Sequence, residues 1–319
     1  MLKRSVIKQL HVKRPEVGNG PGIGEDCATL CVGEDEEIVL STDPITGTAS
    51  DIGELAVTIS VNDLASAGAE PIGILLTVLL TPRMREAKLK AIMEQVDAAC
   101  ERYNVQVIGG HTEVTEAVNQ PLISVTAVGK VKKGHMISTG GARPNMDIVI
   151  TKWIGLEGTS IIAKDHEKEL LERLPQSLID TAKGFDQYLS VLPESRIAVE
   201  HGATAMHDVT EGGIFGALWE LGEASGVGLD IDLKSIPVKQ ETIEVCEFFG
   251  INPYELISSG AMLIATDDGN GLVRKLVDAG ITSAIIGKSN SSNDRRIISG
   301  DEVRFLEPPK SDALYSINS

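Results

Sequence analysis

The sequence runs to 319 residues, 42% hydrophobic but only 3% aromatic, with a formal net charge of −17. That length exceeds what one hydrophobic core usually serves and predicts two domains. The acidic balance, unbroken by any run of Lys and Arg, argues against an electrostatic grip on nucleic acid or anionic lipid. No stretch reaches the ~18 uninterrupted apolar residues of a membrane span, and Met1-Leu2-Lys3-Arg4 leads into no apolar signal segment.

The cysteines, Cys27, Cys31, Cys100 and Cys246, form neither a CxxC pair nor a zinc-spaced cluster, which predicts reduced thiols in a cytoplasmic protein. Cys27 and Cys31 are expected as buried alternate-face residues of a strand over 27–32.

Patterning then predicts a strand over 37–42, a helix over 52–67, a buried strand over 72–80, and a helix carrying Leu89, Ile92, Met93, Val96 and Cys100 at helical spacing. Strands over 105–108 and 122–128 follow, and alternation of this kind argues for sheet covered by helices. Turn formers gather over 132–145, which places a domain boundary there and gives domains 1–140 and 141–319. The second domain reads as strands over 147–153, 203–206, 228–233 and 262–266, helices over 158–189, 214–224, 242–249 and 271–279, and two closing strands. The fold class is mixed α/β.

Several acidic residues stand where apolar ones are usual, beside glycines or small residues. Stepping by three and four from Ile52 gives Ala56, Ile59 and Asp63, so a carboxylate shares the apolar stripe of a helix that Asp51 or Ser50 can cap and Gly68 can end. Asp63 either needs a cationic partner or lies just beyond the buried face, bonded to a loop; Asn62 beside it can donate to a phosphate. Residues 18–26, Gly-Asn-Gly-Pro-Gly-Ile-Gly-Glu-Asp, bring glycine at every second position, including Gly22 and Gly24, and let backbone N–H groups approach an anion. They match neither a Walker loop nor a dinucleotide fingerprint, and a mobile glycine loop is the alternative.

Asp43 follows a strand, as does Gly109-Gly110-His111-Thr112-Glu113, where His111 reads as a ligand, an acid-base group or a surface histidine. His207-Asp208-Val209-Thr210-Glu211-Gly212-Gly213 joins a strand to a helix whose N-terminus suits an anion, with a metal between it and the acids; Thr210 is the expected cap. Trp153-Ile154-Gly155-Leu156-Glu157-Gly158-Thr159 repeats that arrangement more weakly. No nucleophile motif supports covalent catalysis, whereas phosphoryl transfer needs mainly positioning and charge neutralisation by metal.

In order, Gly-Ile-Gly-Glu-Asp (22–26), Ser-Thr-Asp (41–43), Asn-Asp-Leu-Ala-Ser-Ala-Gly-Ala-Glu-Pro (62–71), Gly-Gly-His-Thr-Glu (109–113) and Asp-Val-Thr-Glu-Gly-Gly (208–213) resemble the PurM-like, AIR synthase-related superfamily over nearly the whole chain. Residues 51–56, the Ile-Pro-Val at 236–238 and Cys246-Glu247 are most similar to its branch of hydrogenase-maturation HypE proteins.

The resemblance implies a two-domain PurM-like fold dimerising through its N-terminal sheet, with ATP and Mg²⁺ bound near the dimer interface. It implies Asp26, Asp43 and Asp63 as metal and phosphate ligands, with Asp208 reaching in from the other domain. Gly22, Gly24, Asn62, Gly109, Gly110 and Thr112 are expected around the nucleotide, and Asp43, Asp63, Asp208 and His111 in catalysis.

The expected activity is Mg-dependent use of ATP to activate the oxygen of an amide-like acceptor, small or protein-borne, with a possible role for a maturation partner protein. A small-molecule kinase resembling thiamine-monophosphate kinase and a non-catalytic nucleotide-binding factor are the alternatives. Two departures stand out: the sequence closes Tyr-Ser-Ile-Asn-Ser (315–319) where HypE proteins carry the cysteine that bears a carbamoyl group, and His111 sits where several relatives have an aspartate.

Overall fold

The structure, a computed structural model, describes residues 9–21, 27–46, 51–309 and 311–318. Two compact units emerge: one comprises the described residues up to Ala65 together with Ala69–Met136, the other Ser66–Gly68 and the described residues from Ile137 onward.

The first unit is built on strands β3 (Glu36–Ile45), β4 (Glu70–Leu80), β5 (Gln106–Val114) and β6 (Leu122–Lys132), in the order β3-β6-β4-β5. Only the β4/β5 pair is parallel. Alternation along β6 sends Ile123, Val125 and Ala127 to a face with no exposure. Helix α1 (Ile52–Ser66) lies against that face: Leu64 reaches β6 at Gly129, and Ser41 of β3 bonds Asp63. Helix α2 (Glu86–Tyr103) packs on α1 at Gly53, where a Cβ would come within 2.4 Å of the Ile92 carbonyl. Among the described residues the opposite face of the sheet has no covering helix, and Leu40 is 63%, Ile38 44% and Leu75 37% exposed.

Beside this sheet, among the described residues, β1 (Val17–Asn19) and β2 (Thr29–Leu30) pair only with each other. A ribbon that short has no second layer to cover it, so Cys27 and Cys31 are exposed, contrary to the expectation from alternation; Cys100 and Cys246 are buried.

The second unit carries seven strands in the order β13-β12-β9-β11-β7-β10-β8: β7 (Asp147–Thr151), β8 (Ala205–Asp208), β9 (Gly228–Asp232), β10 (Met262–Thr266), β11 (Ser283–Asn290), β12 (Arg295–Ser299) and β13 (Glu302–Phe305). Three strands, not two, close the chain. The expected helix over 158–189 is broken into α3 (Leu156–Asp165), α4 (Glu167–Leu170) and α5 (Gln176–Lys183), followed by a 3-10 turn. Pro175, which disfavours helix in the residue before it, starts α5.

An unanticipated α6 (Leu192–Glu200) follows, then α7 (Gly213–Ser225), α8 (Gln240–Phe249) and α9 (Gly269–Asp278). Ile148, Ile150, Leu263, Leu229, Ile214 and Leu218 form the core between sheet and helices. A second cluster, with Ile162, Ile179, Val245 and Leu256, ties α3, α5 and α8 together. Among the described residues no helix is long and apolar enough to cross a membrane.

Candidate active site

Strand alternation puts Ser41 and Asp43 on the α1 side of the first sheet, across from Ala127 and Val125. α1 arrives at the same place because its end is fixed. Gly68 takes the left-handed conformation, φ 69°, and the Ala69 amide donates to the Leu64 carbonyl. This sets Asn62, 1% exposed, inside the unit, and half-buried Asp63 where the Ser41 hydroxyl donates to its carboxylate. Ser41, Asp43 and Asp63 are thus gathered on one side of the sheet.

Asp43 is the informative member. Its Oδ2 is buried and has no hydrogen-bond partner among the described residues. An orphaned carboxylate oxygen costs about 1–3 kcal/mol and more when charged, so the position is favoured by a cation. With hard oxygen donors supplied by Asp43 and Asp63, the set fits Mg²⁺. Gly22, Gly24 and Asp26 lie outside the described residues.

The Gly-Gly-His segment differs from the expected strand end. β5 does not stop at Ile108 but runs on to Val114, because β4 continues alongside it through the register Leu76↔Gly110, Thr77↔His111 and Val78↔Thr112. Gly110 is required by that approach: its φ is 146°, and a Cβ would lie 2.0 Å from the Leu76 carbonyl oxygen. Gly109 is in close contact too, a Cβ there lying 3.0 Å from Leu75 Cδ2. Alternation places His111 with Thr77 and Ser124 on the uncovered side, opposite Asp43. Its Nε2 lies 3.9 Å from Glu113 Oε2, and Thr112 beside it is exposed. Within this unit, therefore, His111 is not brought together with the aspartates.

In the second unit, Asp208 ends β8 in register with Met262 and is 8% exposed. His207 beside it lies 2.9 Å from Glu220 through Nε2. α7 is capped by Gly212 at φ 79°, not by a Thr210 side chain. The group that meets the turn comes from far along the chain: Asp312 Oδ2 accepts the Gly212 N–H at 2.8 Å.

Glu211 accepts a hydrogen bond from the Tyr315 hydroxyl. Glu157, in the first turn of α3, is 6% exposed. Burial pushes its carboxyl up to about 7; a Ser259 hydrogen bond opposes that, and Asp312 and Glu211 add repulsion. The glycine-acid pattern at 153–159 was the only sequence signal for Glu157, and nothing marked Asp312.

The family described as AIR synthase related protein, N-terminal domain, matches residues 24–131, and its C-terminal domain matches residues 143–299. The chain belongs to the AIR synthase-related family. Within it, the chain is similar to the carbamoyl dehydratase HypE of Cupriavidus necator, 30% identical over 259 residues that cover 78% of this chain and 72% of the relative.

Among solved structures, hydrogenase maturation protein HypE in complex with ATP superposes with a TM-score of 0.82 at 21% identity, covering 98% and 96% of the two chains. A HypE–HypF complex gives 0.75 at 25%, covering 85% and 90%. Thiamine-monophosphate kinase from Stenotrophomonas maltophilia gives 0.74 at 19%, covering 94% and 95%. This AIR synthase-related chain therefore has the two-domain, mixed α/β PurM-like fold and is HypE-like, and several of its curated relatives are named carbamoyl dehydratase.

Proposed function

We propose that the chain is a Mg²⁺-dependent, ATP-utilising enzyme that phosphorylates, and so activates, the oxygen of an amide-like acceptor, releasing ADP and phosphate. The observation that carries this reading is the orphaned, buried Oδ2 of Asp43 on the same sheet face as the Ser41–Asp63 pair. Asp43 and Asp63, joined by Asp26, would hold Mg²⁺, which supplies charge neutralisation at the transferring phosphoryl group. Ser41 orients Asp63 by its hydrogen bond, and Asn62 is positioned to donate to a phosphate oxygen. Gly22 and Gly24 would offer backbone N–H groups. We read the domains as 1–140 and 141–319.

The uncovered sheet face, with Leu40 and Ile38, is the surface for a second copy. A homodimer built there would make His111, Thr112 and the neighbouring glycines accessible to the partner's nucleotide rather than to their own Asp43. Leu40→Arg should then yield monomer in sedimentation, and an unchanged dimer would exclude this face. The name of the HypE–HypF complex supports a maturation partner, and we read the enzyme as cytoplasmic.

Turnover with amide-bearing acceptors tests the reaction. Free phosphate with a dehydrated or cyclised product is expected; a stable phosphorylated product would instead mark a kinase, and ATP binding without turnover a non-catalytic factor. Asp63→Asn should abolish phosphate release in a folded protein. Retention of turnover in that variant would overturn the assignment.

A further inference from the structure

Residues 9–14, ahead of β1, are fastened along α2 by their polar groups. Gln9 Nε2 donates to Glu94 Oε1 at 3.3 Å. The His11 N–H donates to Asp97 Oδ1 at 2.9 Å, and the His11 ring bonds the other oxygen of the same carboxylate through Nδ1. Further on, the Arg14 N–H donates to Gln106 Oε1 at 2.7 Å, and its guanidinium donates to the Asn104 carbonyl at 3.0 Å, just past the end of α2. Both ends of the segment are held, so His11 stands at a defined place on the helix.

Helical spacing adds a third group. Glu101 follows Asp97 by four residues, which puts both on one face of α2. Glu101 Oε1 is 3.8 Å from His11 Nδ1, and the donor atoms of His11, Asp97 and Glu101 all lie within 4.8 Å of one another. Two features set this group apart from a solvated acidic face. It contains an imidazole, and its central carboxylate, Asp97, is buried and oriented by the His11 backbone N–H. Arg102, the cation next in sequence, is engaged with Glu54 at 2.6 Å. His11 and Glu101 are exposed, which leaves the open side of the group to water.

We propose that His11, Asp97 and Glu101 form a site for a transition-metal dication, with Zn²⁺ the best-suited ion, that clamps residues 9–14 to α2. One imidazole nitrogen, two carboxylate oxygens and a water make the four-coordinate set that Zn²⁺ takes. An ion ~2.0–2.2 Å from each donor spaces the donors ~3.5 Å apart, so it replaces the His11–Asp97 ring hydrogen bond while the exposed Glu101 turns inward. His11 ligates as a neutral imidazole, and the Nδ1 proton passes to solvent. The bond from the His11 N–H to Asp97 Oδ1 is untouched and goes on orienting the ligating carboxylate.

The ion would join residues 86 positions apart, and it stabilises the folded chain because the unfolded chain does not bring its ligands together. Asp43 and Asp63 offer oxygen alone, which suits Mg²⁺, whereas the imidazole here favours Zn²⁺, so the two sites sort different ions. The inference is independent of whether ATP is turned over.

Titration of Zn²⁺ into the full chain, stripped of metal by chelator and then held in excess Mg²⁺, tests the site by calorimetry. One Zn²⁺ per chain is expected to bind, with affinity at least about tenfold lower in His11→Ala and in Glu101→Ala. Hydrogen exchange over residues 9–14 should slow on addition of Zn²⁺ in the wild type and in neither variant. Asp43→Asn should bind Zn²⁺ as the parent does, which separates this site from the one proposed for MgATP. Glu101 is exposed, so its variant decides the matter should His11→Ala fail to fold. A wild-type chain that takes up no Zn²⁺ in excess Mg²⁺, a folded His11 or Glu101 variant that binds it as tightly as the parent, or loss of binding in Asp43→Asn would overturn the proposal.

Discussion

Two regions of the first unit handle buried acids in opposite ways. Near the Lys130 end of β6, Glu16, Glu36 and Glu70 each meet a cation. The Arg14 guanidinium lies 2.9 Å from Glu16 and 2.7 Å from Glu70, and Lys130 lies 3.1 Å from both Glu16 and Glu36. Arg14 holds the Glu16 carboxyl down at about 2. On the α1 side, by contrast, Asp43 leaves an oxygen with no hydrogen-bond partner among the described residues, and Asp63 accepts a hydrogen bond from the Ser41 hydroxyl. Both sets of acids lie against one sheet, but the first is answered by Arg14 and Lys130, whereas Asp43 keeps a buried oxygen with no hydrogen-bond partner among the described residues. The second is therefore the one in which an added cation changes most.

The contrast can be broken from either side. The largest effect is expected for Arg14→Ala, which strips a buried ion-pair network of its main cation; it should lower unfolding stability by about 3 kcal/mol in urea melts without changing affinity for MgATP. A loss below about 1 kcal/mol would mean that this network is not structural.

Gly110→Ala comes next, at about 2–3 kcal/mol, because the added Cβ meets the Leu76 carbonyl and the φ of 146° suits only glycine. Thermal melts read this change, and a near-neutral result would show that the strand approach relaxes. The smallest effect is that of acid on Glu16. A depressed carboxyl stabilises the fold above its ordinary value of 4.5 and loses that contribution as pH falls towards about 2. Wild-type stability should therefore drop over that window more steeply than that of Glu16→Gln, and parallel curves would contradict the pairing.

Much of this was legible in the sequence, for identifiable reasons. α1, β10 and α7 follow from apolar periodicity and from glycines at their ends, and the same periodicity marked Asp63 as out of place. The placement of His111 was not legible, because β5 owes its length to pairing with β4 rather than to its own residues. Exposure of Cys27 and Cys31 was missed for a related reason: alternation predicts a buried face only when a second layer exists to bury it. The Asp312 contact with Gly212 joins residues a hundred positions apart, and no local pattern signals it.

Calorimetric titration of MgATP into the wild-type chain and Asp43→Asn tests the central claim most directly. The account predicts Mg²⁺-dependent binding to the wild type, and affinity at least about tenfold lower in a variant that is no less stable than the parent. Equal affinity in the two proteins, or binding indifferent to Mg²⁺, would contradict it.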